Sequence, residues 1–506
     1  MYLFHRTARR RNPHPFQVLP LETRSLLSVT TTYNIGPFDN LQTVNLDGQP
    51  GLEIVATNAN QTITVINQRL RTTESFNPAQ WDSIHFASLD GQPGQNIYTI
   101  AGNSITVINP NLVAVPHFTP VQTFTIPAWK SLQVANLDGQ PGNELVAFRD
   151  GSFTVINARL GTTQTFLTPS GATTGIADLT NDPGSEVYYD IVTSVSNTIT
   201  IQNIETATKT RLILGPVTSL QTTNTTTQPG DQFVSVSGPI LQITNLRTNT
   251  FKTFNIGTYK NLLFDELDGH PGNEIVDVRD GGIVTVVYPR LASVKNFTTG
   301  TYSSLQFSDL NAQPGDEIFV TQGTVVTVIN STNFTTKAFN MGPYSSLQLA
   351  NLDGQPGNEL VAFNGVFLRV LTDRTQSLKS YNLGQRNLTL LGQFGRLQGQ
   401  QLLAVRPDFL TILDTLQGTT TSFQNIPFDR ILVGNVGGPV GDEVISTKGN
   451  LLTLRDLYVN QSLHLAIGPA QNLSLADLDG DTVLELFYTN ANRLSVLKPF
   501  TSPPPG

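Results

Sequence analysis

The chain has 506 residues, of which 38% are hydrophobic and 13% are charged, and it contains no cysteine. Its net charge of −8 offers no basic surface for nucleic acid, and it holds no run of the ~20 apolar residues that a membrane-spanning helix requires. Disulfides, thiolate metal sites and thiol nucleophiles are excluded by the lack of cysteine. The many Thr, Asn, Gln and Ser residues favour β-structure over charged surface helices.

The first 29 residues differ in composition from the rest of the chain. A basic start precedes an apolar stretch that Pro20, Glu22 and Arg24 interrupt, so the continuous core of an ordinary signal peptide is missing. Residues 21–28, L-E-T-R-S-L-L-S, resemble a short segment near the start of many exported surface proteins of one bacterial phylum. The resemblance implies export to the cell surface or the medium. The alternative is an unstructured tail with no targeting function.

From residue 30 to residue 499 the chain is an array of repeats. Their marker is the phrase N-L-D-G-Q-P-G-N-E before an apolar strand, and it is clearest at residues 136–144 and 351–359. The last glycine of the phrase, or its equivalent, lies at positions 51, 94, 142, 184, 230, 272, 315, 357, 399, 441 and 483. These eleven repeats have a mean spacing of about 43 residues, within the period of about 40–45 residues of four-stranded propeller blades.

Each repeat contains four short runs of alternating residues between Gly, Pro or Asn turns. In the repeat that begins at Tyr344, the pattern predicts strands over residues 346–350, 359–363, 366–371 and 377–383. The third strand is the most regular and varies around T-V-T-V-I-N. No window supports a ten-residue amphipathic helix, which argues against helical repeats.

The two ends of the array complement each other. The last repeat stops after its third strand, residues 493–498, and is followed by a proline-rich tail, residues 500–506. Residues 31–36, T-T-Y-N-I-G, match the missing fourth strand. Pairing of the first strand with the last blade closes the ring and removes exposed sheet edges. We therefore predict an all-β fold, a closed β-propeller of about eleven four-stranded blades. The alternative is two tandem propellers, because eleven exceeds the usual 4–8 blades.

The loop between the first and second strands carries oxygen side chains at positions one, three, five and nine. In the last repeat these are Asp477, Asp479, Asp481 and Glu485. Calcium takes about 6–8 oxygen ligands, with carboxylates supplying the charge. The loop resembles the D-x-D-x-D-G-x-x-D calcium loop of FG-GAP and VCBS repeat propellers, the integrin-like family, although Thr482 stands where that family has glycine. The resemblance, which extends by period and loop to all eleven repeats, implies Ca²⁺ binding at this loop.

The other loops hold fewer carboxylates, so their calcium binding is expected to be weaker or absent. Their candidate ligands are Asn45, Asp47, Glu53, Asn136, Asp138, Glu144, Asp268, Glu274, Asp309, Asn311, Glu317, Asn351, Asp353 and Glu359. The alternative is that Asp47 and its equivalents accept backbone N–H bonds in an Asx turn. Three loops have lost the pattern and are expected to bind nothing: residues 224–232, residues 392–400, and the second repeat, where Asn96 replaces Glu.

An aromatic residue precedes the first strand in seven repeats. These residues are Phe38, Trp81, Trp129, Tyr259, Tyr302, Tyr344 and Phe428. In a ring they form a circle near one face, where they can stack on sugar rings. The alternative is packing between neighbouring blades, the usual role of a recurring position in repeat proteins.

The sequence carries no recognised catalytic motif, and its six histidines are scattered singly. We therefore expect an exported, monomeric, non-catalytic propeller, stabilised by calcium, that binds a glycan or a protein in adhesion or as a scaffold. The alternative is a polysaccharide lyase or hydrolase built on a propeller. Such an enzyme needs one asymmetric cluster of catalytic side chains, and near-identical repeats argue against it.

Overall fold

A computed structural model describes residues 29–498, apart from residues 60–61, 111–120, 181–183, 193–196, 280, 396–398, 426, 438–440 and 459. The segment predicted to direct export and the proline-rich tail therefore lie outside the described residues. The described chain contains 44 strands and no helix. The described residues therefore include no helix that is long and apolar enough to cross a membrane.

The strands form eleven blades of four strands each, as the repeat count predicts. Blades 1 to 4 contain β2 (Asn40–Val44), β3 (Glu53–Thr57), β4 (Ile63–Asn67) and β5 (Thr72–Phe76); β6 (Ser83–Ala87), β7 (Asn96–Ala101), β8 (Ser104–Ile108) and β9 (Val121–Thr125); β10 (Ser131–Ala135), β11 (Glu144–Arg149), β12 (Ser152–Asn157) and β13 (Thr162–Leu167); β14 (Thr173–Ala177), β15 (Glu186–Val192), β16 (Asn197–Gln202) and β17 (Lys209–Leu214).

Blades 5 to 8 contain β18 (Ser219–Thr223), β19 (Gln232–Ser237), β20 (Ile240–Asn245) and β21 (Thr250–Asn255); β22 (Asn261–Asp265), β23 (Glu274–Val278), β24 (Ile283–Tyr288) and β25 (Ser293–Thr298); β26 (Ser304–Ser308), β27 (Glu317–Gln322), β28 (Val325–Asn330) and β29 (Thr335–Asn340); β30 (Ser346–Ala350), β31 (Glu359–Asn364), β32 (Phe367–Thr372) and β33 (Ser377–Asn382).

Blades 9 to 11 contain β34 (Leu388–Gly392), β35 (Gln401–Val405), β36 (Phe409–Asp414) and β37 (Thr419–Gln424); β38 (Arg430–Gly434), β39 (Glu443–Lys448), β40 (Leu451–Asp456) and β41 (Gln461–Ala466); β42 (Leu473–Ala476), β43 (Glu485–Asn490), β44 (Arg493–Lys498) and β1 (Val29–Asn34). The four strands predicted for blade 8 are confirmed to within one residue at each end.

The predicted closure is confirmed, because β1 pairs antiparallel with β44 and supplies the fourth strand of blade 11. A backbone hydrogen bond of 2.5 to 3.0 Å then joins every blade to the one before it. The donor follows the Pro-Gly position of one loop, and the acceptor is the carbonyl at position one of the preceding loop. The donor and acceptor pairs are Leu52 and Asp477, Gln95 and Asn45, Asn143 and Ser88, Ser185 and Asn136, Asp231 and Asp178, Asn273 and Asn224, Asp316 and Glu266, Asn358 and Asp309, Gln400 and Asn351, Asp442 and Gln393, and Leu484 and Asn435.

We call these contacts the junction bonds. The bond from blade 1 to blade 11, Leu52 N to Asp477 O at 2.9 Å, closes the series. All eleven blades therefore belong to one ring, and the alternative of two tandem propellers is wrong.

The hydrophobic core lies between the blades. Eleven clusters of buried side chains each combine residues from two adjacent blades, and one of them joins Ile54 of blade 1 to Leu494 of blade 11. Second and third strands are buried on both faces, as in β11 and β12. This explains their nearly continuous apolar runs. Fourth strands such as β13 are mostly exposed and polar.

The repeated glycines serve the close approach of neighbouring loops. Gly48 and Gly94 have φ of 68° and 97°. A Cβ on Gly94 would lie 2.4 Å from the Leu46 carbonyl oxygen, and one on Gly48 would lie 2.2 Å from Pro93 Cβ. The phrase D-G-Q-P-G therefore fits each loop against its neighbour.

The up-and-down order of strands gives the ring two different faces. The loops between first and second strands and the turns between third and fourth strands share one face, which we call the loop face. The hairpins between second and third strands share the other with the connections to the next blade, and we call it the hairpin face.

Candidate metal loops and partner surfaces

A buried side-chain oxygen at the start of every second strand organises the loop before it. In blade 1, Glu53 Oε2 accepts the N–H of Leu46 at 2.7 Å. The same bond, to the residue seven positions earlier, is 2.6 to 2.9 Å long in all eleven blades. Asn96, Gln232 and Gln401 make it with an amide oxygen. Position nine is therefore a structural acceptor that does not need a charge.

The loop of blade 1 engages all of its carboxylate oxygens with donors of the protein. Asp47 Oδ1 accepts the N–H of Gln49 at 2.9 Å, and Oδ2 accepts the Asn67 amide at 3.0 Å and the Arg69 guanidinium. Glu53 Oε1 accepts the Asn67 amide at 2.9 Å. The side chain of Asn45 bonds to the backbone of its own loop.

The loop of blade 3 repeats this arrangement. Asp138 Oδ2 accepts the Asn157 amide at 3.1 Å and the Arg159 guanidinium at 2.7 Å, while Asn157 also donates to Glu144 Oε1 at 2.8 Å. Asn136 closes the turn as Asn45 does. Calcium requires several unengaged oxygens in one place, so the residues of these two loops do not fit the ion that the resemblance implies.

An arginine stands beside the position-three aspartate in four blades. Arg69, Arg159, Arg290 and Arg374 lie in the turn after the third strand and form ion pairs with Asp47, Asp138, Asp268 and Asp353, respectively. The loop motif predicted from the sequence does not include these arginines. The available signal was the recurring N-x-R-L after the third strand of blades 1 and 3. In blade 8, Asn351 again bonds to its own loop, and Glu359 accepts the N–H of Leu352.

The loop of blade 11 is the most acidic of those predicted to bind calcium. Single carboxylate oxygens of Asp477, Asp479 and Glu485 lie within 4.8 Å of one another. Lys498 Nζ donates to Asp479 Oδ2 at 2.8 Å and to Asp481, and lies 3.5 Å from Glu485 Oε1. Among the described residues, the buried oxygens Asp479 Oδ1 and Glu485 Oε1 have no hydrogen-bond partner. Asp477 accepts the N–H groups of Gly480 and Thr482 at 2.7 and 3.1 Å. A hard cation here would therefore rely first on the two unpaired oxygens and would compete with the Lys498 ammonium.

Blade 6 combines the arginine pair of blades 1 and 3 with an acidic cluster like that of blade 11. In blade 6, oxygens of Glu266, Asp268 and Glu274 lie within 4.8 Å of one another. Glu266 was missed because position one usually holds Asn or Asp. Arg290 and His270 contact Asp268 at 2.8 and 3.2 Å. Burial raises the pKa of Glu274 to about 7.

In blade 7 the predicted ligands bond mainly to one another and to their own backbone. Asn311 donates to Glu317 Oε1 at 2.5 Å, and Asn330 donates to the same oxygen at 3.0 Å. Asp309 Oδ1 accepts the N–H of Ala312 at 2.7 Å. Burial raises the pKa of Glu317 to about 7.

All seven predicted aromatic residues lie in the connections on the hairpin face and are half-buried. Each packs against the core cluster between two blades: Phe38, Trp81, Trp129, Tyr259, Tyr302, Tyr344 and Phe428. Their contacts agree with the packing alternative. Stacking on a sugar stays a prediction.

The hairpin face exposes apolar side chains in three consecutive blades. Phe367, Phe409 and Leu451 each begin a third strand, in blades 8, 9 and 10, and are 49%, 41% and 41% exposed. The same position holds Ser104 and Ser152 in blades 2 and 3, and Ile240, which is 38% exposed, in blade 5. We call Phe367, Phe409 and Leu451 the apolar patch.

Comparison with known proteins adds little to this geometry. No described protein family matches the sequence, and no curated protein matches it. Two crystal structures of BBS1N in complex with ARL6DN, one soaked with lead and one with mercury, are similar in part. They share 11% and 10% identity with this chain, cover 62% and 61% of it and 97% and 94% of their own chains, and have a TM-score of 0.29. A likeness at this level carries no argument about function.

Proposed function

We propose that this propeller is a non-catalytic binding module whose hairpin face holds a macromolecular partner. The apolar patch carries the proposal, because three exposed apolar residues recur at one position of consecutive blades, and a continuous exposed apolar surface marks an interaction site. Equivalent positions of adjacent blades lie side by side in the ring, so Phe367, Phe409 and Leu451 follow one another along the same face.

Basic side chains add positive charge near the apolar patch. Arg430, at the start of the first strand of blade 10, is exposed. Arg386, in the connection before blade 9, donates to the Gly365 carbonyl at 2.7 Å and lies over the Phe363 ring. A protein segment that combines apolar and acidic side chains complements this surface.

Three finer parts of the proposal rest on the sequence. We infer membership of the FG-GAP and VCBS repeat class from the loop phrase and its period. Export rests on the resemblance carried by residues 21–28. Calcium binding is proposed for the loop of blade 11 from its D-x-D-x-D pattern, and the unpaired oxygens of Asp479 and Glu485 support it.

The patch is tested by replacing Phe367, Phe409 and Leu451 together with serine. The control replaces Leu70, Leu160 and Leu416, which are about half exposed on the loop face, in the same way. A displayed peptide library selected on the immobilised full chain supplies the probe. We expect selected peptides to bind the parent and the control equally and to bind the patch variant at least about tenfold more weakly. Equal binding to all three proteins would overturn the assignment.

A further inference from the structure

The loop of blade 5 keeps the backbone of its neighbours but has lost their carboxylates. Thr226 occupies position three, where blades 1 and 3 have aspartate, and Gln232 occupies position nine. Gln232 Oε1 accepts the backbone N–H and the hydroxyl of Thr225 at 2.6 and 2.9 Å. Its amide group donates to the Gly230 carbonyl at 2.9 Å. The structural acceptor is therefore retained, while the carboxylates of positions three and nine are gone and Asp231, which accepts the N–H of Asp178 in blade 4, is the one carboxylate left in the loop.

The arginine of blade 5 pairs with a carboxylate of the preceding blade instead of one in its own loop. Arg247 is the equivalent of Arg69 and Arg159, but it contacts Asp178 of blade 4 at 2.5 Å and the Pro229 carbonyl. In blades 1 and 3 a guanidinium and a carboxylate occupy the space beside the loop. Blade 5 has no such ion pair at the equivalent place.

A cavity of about 220 Å³ lies at this place on the loop face, between blades 5 and 6. Its walls include Thr225, Thr226, Thr227, Ile243, Asn245 and Phe251. Pockets for drug-sized ligands typically measure about 300–1,000 Å³. The cavity therefore suits a smaller ligand, about the size of one sugar ring.

The walls combine an aromatic plane with groups that bond to hydroxyls. Phe251 is 70% exposed and stands where blades 1 and 3 have Thr73 and Thr163. Asn67 and Asn157 donate their amides to carboxylates, but the equivalent amide nitrogen of Asn245 donates no hydrogen bond among the described residues. An aromatic ring beside amide and hydroxyl groups suits the apolar C–H face and the polar edge of a sugar.

The positively charged residues that line the cavity favour anionic sugars. Lys252 and Arg290 line it, and no carboxylate does. Lys252 uses one N–H for the Pro289 carbonyl at 2.8 Å. Arg290 uses Nη2 for Asp268 Oδ2 at 2.8 Å and lies near His270. Both cations keep further N–H groups that an anionic oxygen can accept from.

We propose that this cavity binds one uronic acid residue of an acidic polysaccharide. The ring stacks on Phe251, the hydroxyls bond to Asn245 and the threonines, and the carboxylate faces Lys252 and Arg290. This inference deepens the proposed function of a binding module by assigning a glycan class to the loop face.

The test is calorimetric titration of the full chain with trisaccharides of galacturonate, glucuronate and mannuronate, and with their methyl esters. We expect at least one free acid to bind, and its ester to bind about tenfold more weakly because the carboxylate charge is gone. No binding of any free acid at millimolar concentration would overturn the proposal. So would equal binding of acid and ester.

Single replacements then locate the site. Phe251→Thr installs the residue of blades 1 and 3, and Lys252→Gln removes one cation. Both positions lie on the exposed fourth strand β21. The controls Leu378→Thr and Lys379→Gln change the same two positions of blade 8, in β33. Losses of about tenfold confined to the blade 5 variants support the site, and equal losses in both blades contradict it.

The variant that lacks the apolar patch separates this proposal from the proposed function. It should retain full affinity for the acidic trisaccharide, because the patch lies on the hairpin face. Loss of peptide binding with sugar binding intact assigns two independent sites. If the sugar binds but no peptide can be selected, the cavity stands as a sugar site and the assignment of the apolar patch is overturned.

Discussion

The loops of blades 3 and 5 have the same length and the same place in the ring, but they differ in what fills them. The loop of blade 3 is filled by the charged side chains of Asp138, Glu144 and Arg159. The loop of blade 5 has threonines and a glutamine, and a cavity lies beside it. Both keep the junction bond and the buried acceptor. The comparison teaches that backbone contacts hold the ring together, which leaves the side chains of each loop free to take on separate chemistry.

The largest expected effect comes from breaking what both loops share. Gly94→Ala places a Cβ 2.4 Å from the Leu46 carbonyl oxygen at a φ of 97°. We expect a loss of about 3–5 kcal/mol in the free energy of unfolding. Gly102→Ala is the control, because nothing lies within 4 Å of its Cβ and its positive φ costs about 1 kcal/mol. Similar melting temperatures for the two variants would contradict the role of the junction.

The next effect concerns the buried acceptor and its charge. Burial raises the pKa of Glu443 from its ordinary 4.5 to about 7, and the nearby Asp456 and Asp442 add repulsion. The folded chain thus holds this proton more tightly than the unfolded chain. The stability it contributes is present in acid and is lost as the pH rises through about 7.

Glu443→Gln should therefore be more stable than the parent by about 2–3 kcal/mol near pH 8, and this gain should vanish near pH 4. Gln401→Glu is the reciprocal change in blade 9 and should introduce the same pH dependence. Denaturant unfolding across the pH range measures both. A gain for Glu443→Gln that did not change with pH would refute the explanation.

The third effect concerns the loop of blade 11, where the Lys498 ammonium occupies the place that a metal ion would take. Lys498→Met removes the ammonium that contacts Asp479 and Glu485. Calcium should then raise the melting temperature more than in the parent, by the equivalent of about 1–3 kcal/mol at saturating ion. Asp479→Asn in addition should remove the response. If calcium and a chelator give the same melting curve for Lys498→Met, the loop does not bind the ion.

The smallest effect is expected in blade 3. Arg159→Met leaves Asp138 paired with the Asn157 amide but without its guanidinium. Because this pair is partly exposed, we expect a loss of only about 1 kcal/mol. Added calcium should not restore that loss, because the Asn157 amide and backbone N–H groups still engage the carboxylate oxygens of the loop. Thermal melting with and without the ion provides the measurement.

The fold was predictable because its signals are local. The spacing of the Pro-Gly pairs and their equivalents predicted the number of blades, and residues 31–36 identified the closing strand that pairs with β44. The contents of the loops were not predictable in the same way. Arg69 meets Asp47 and Lys498 meets Asp479 across about twenty residues, and nothing in the local pattern separates a carboxylate that awaits a metal from one already paired. The cavity of blade 5 depends on Arg247 turning toward Asp178 of another blade.

The junction bonds all run in the same direction around the ring, since each blade donates to its predecessor and accepts from its successor. A block of consecutive blades separated from the rest therefore has polar ends: one end presents a vacant donor and the other a vacant carbonyl. Such ends are complementary to each other but not to themselves, which makes the contact heterologous. Two blocks that together contain all eleven blades can therefore associate into the complete ring in one orientation only.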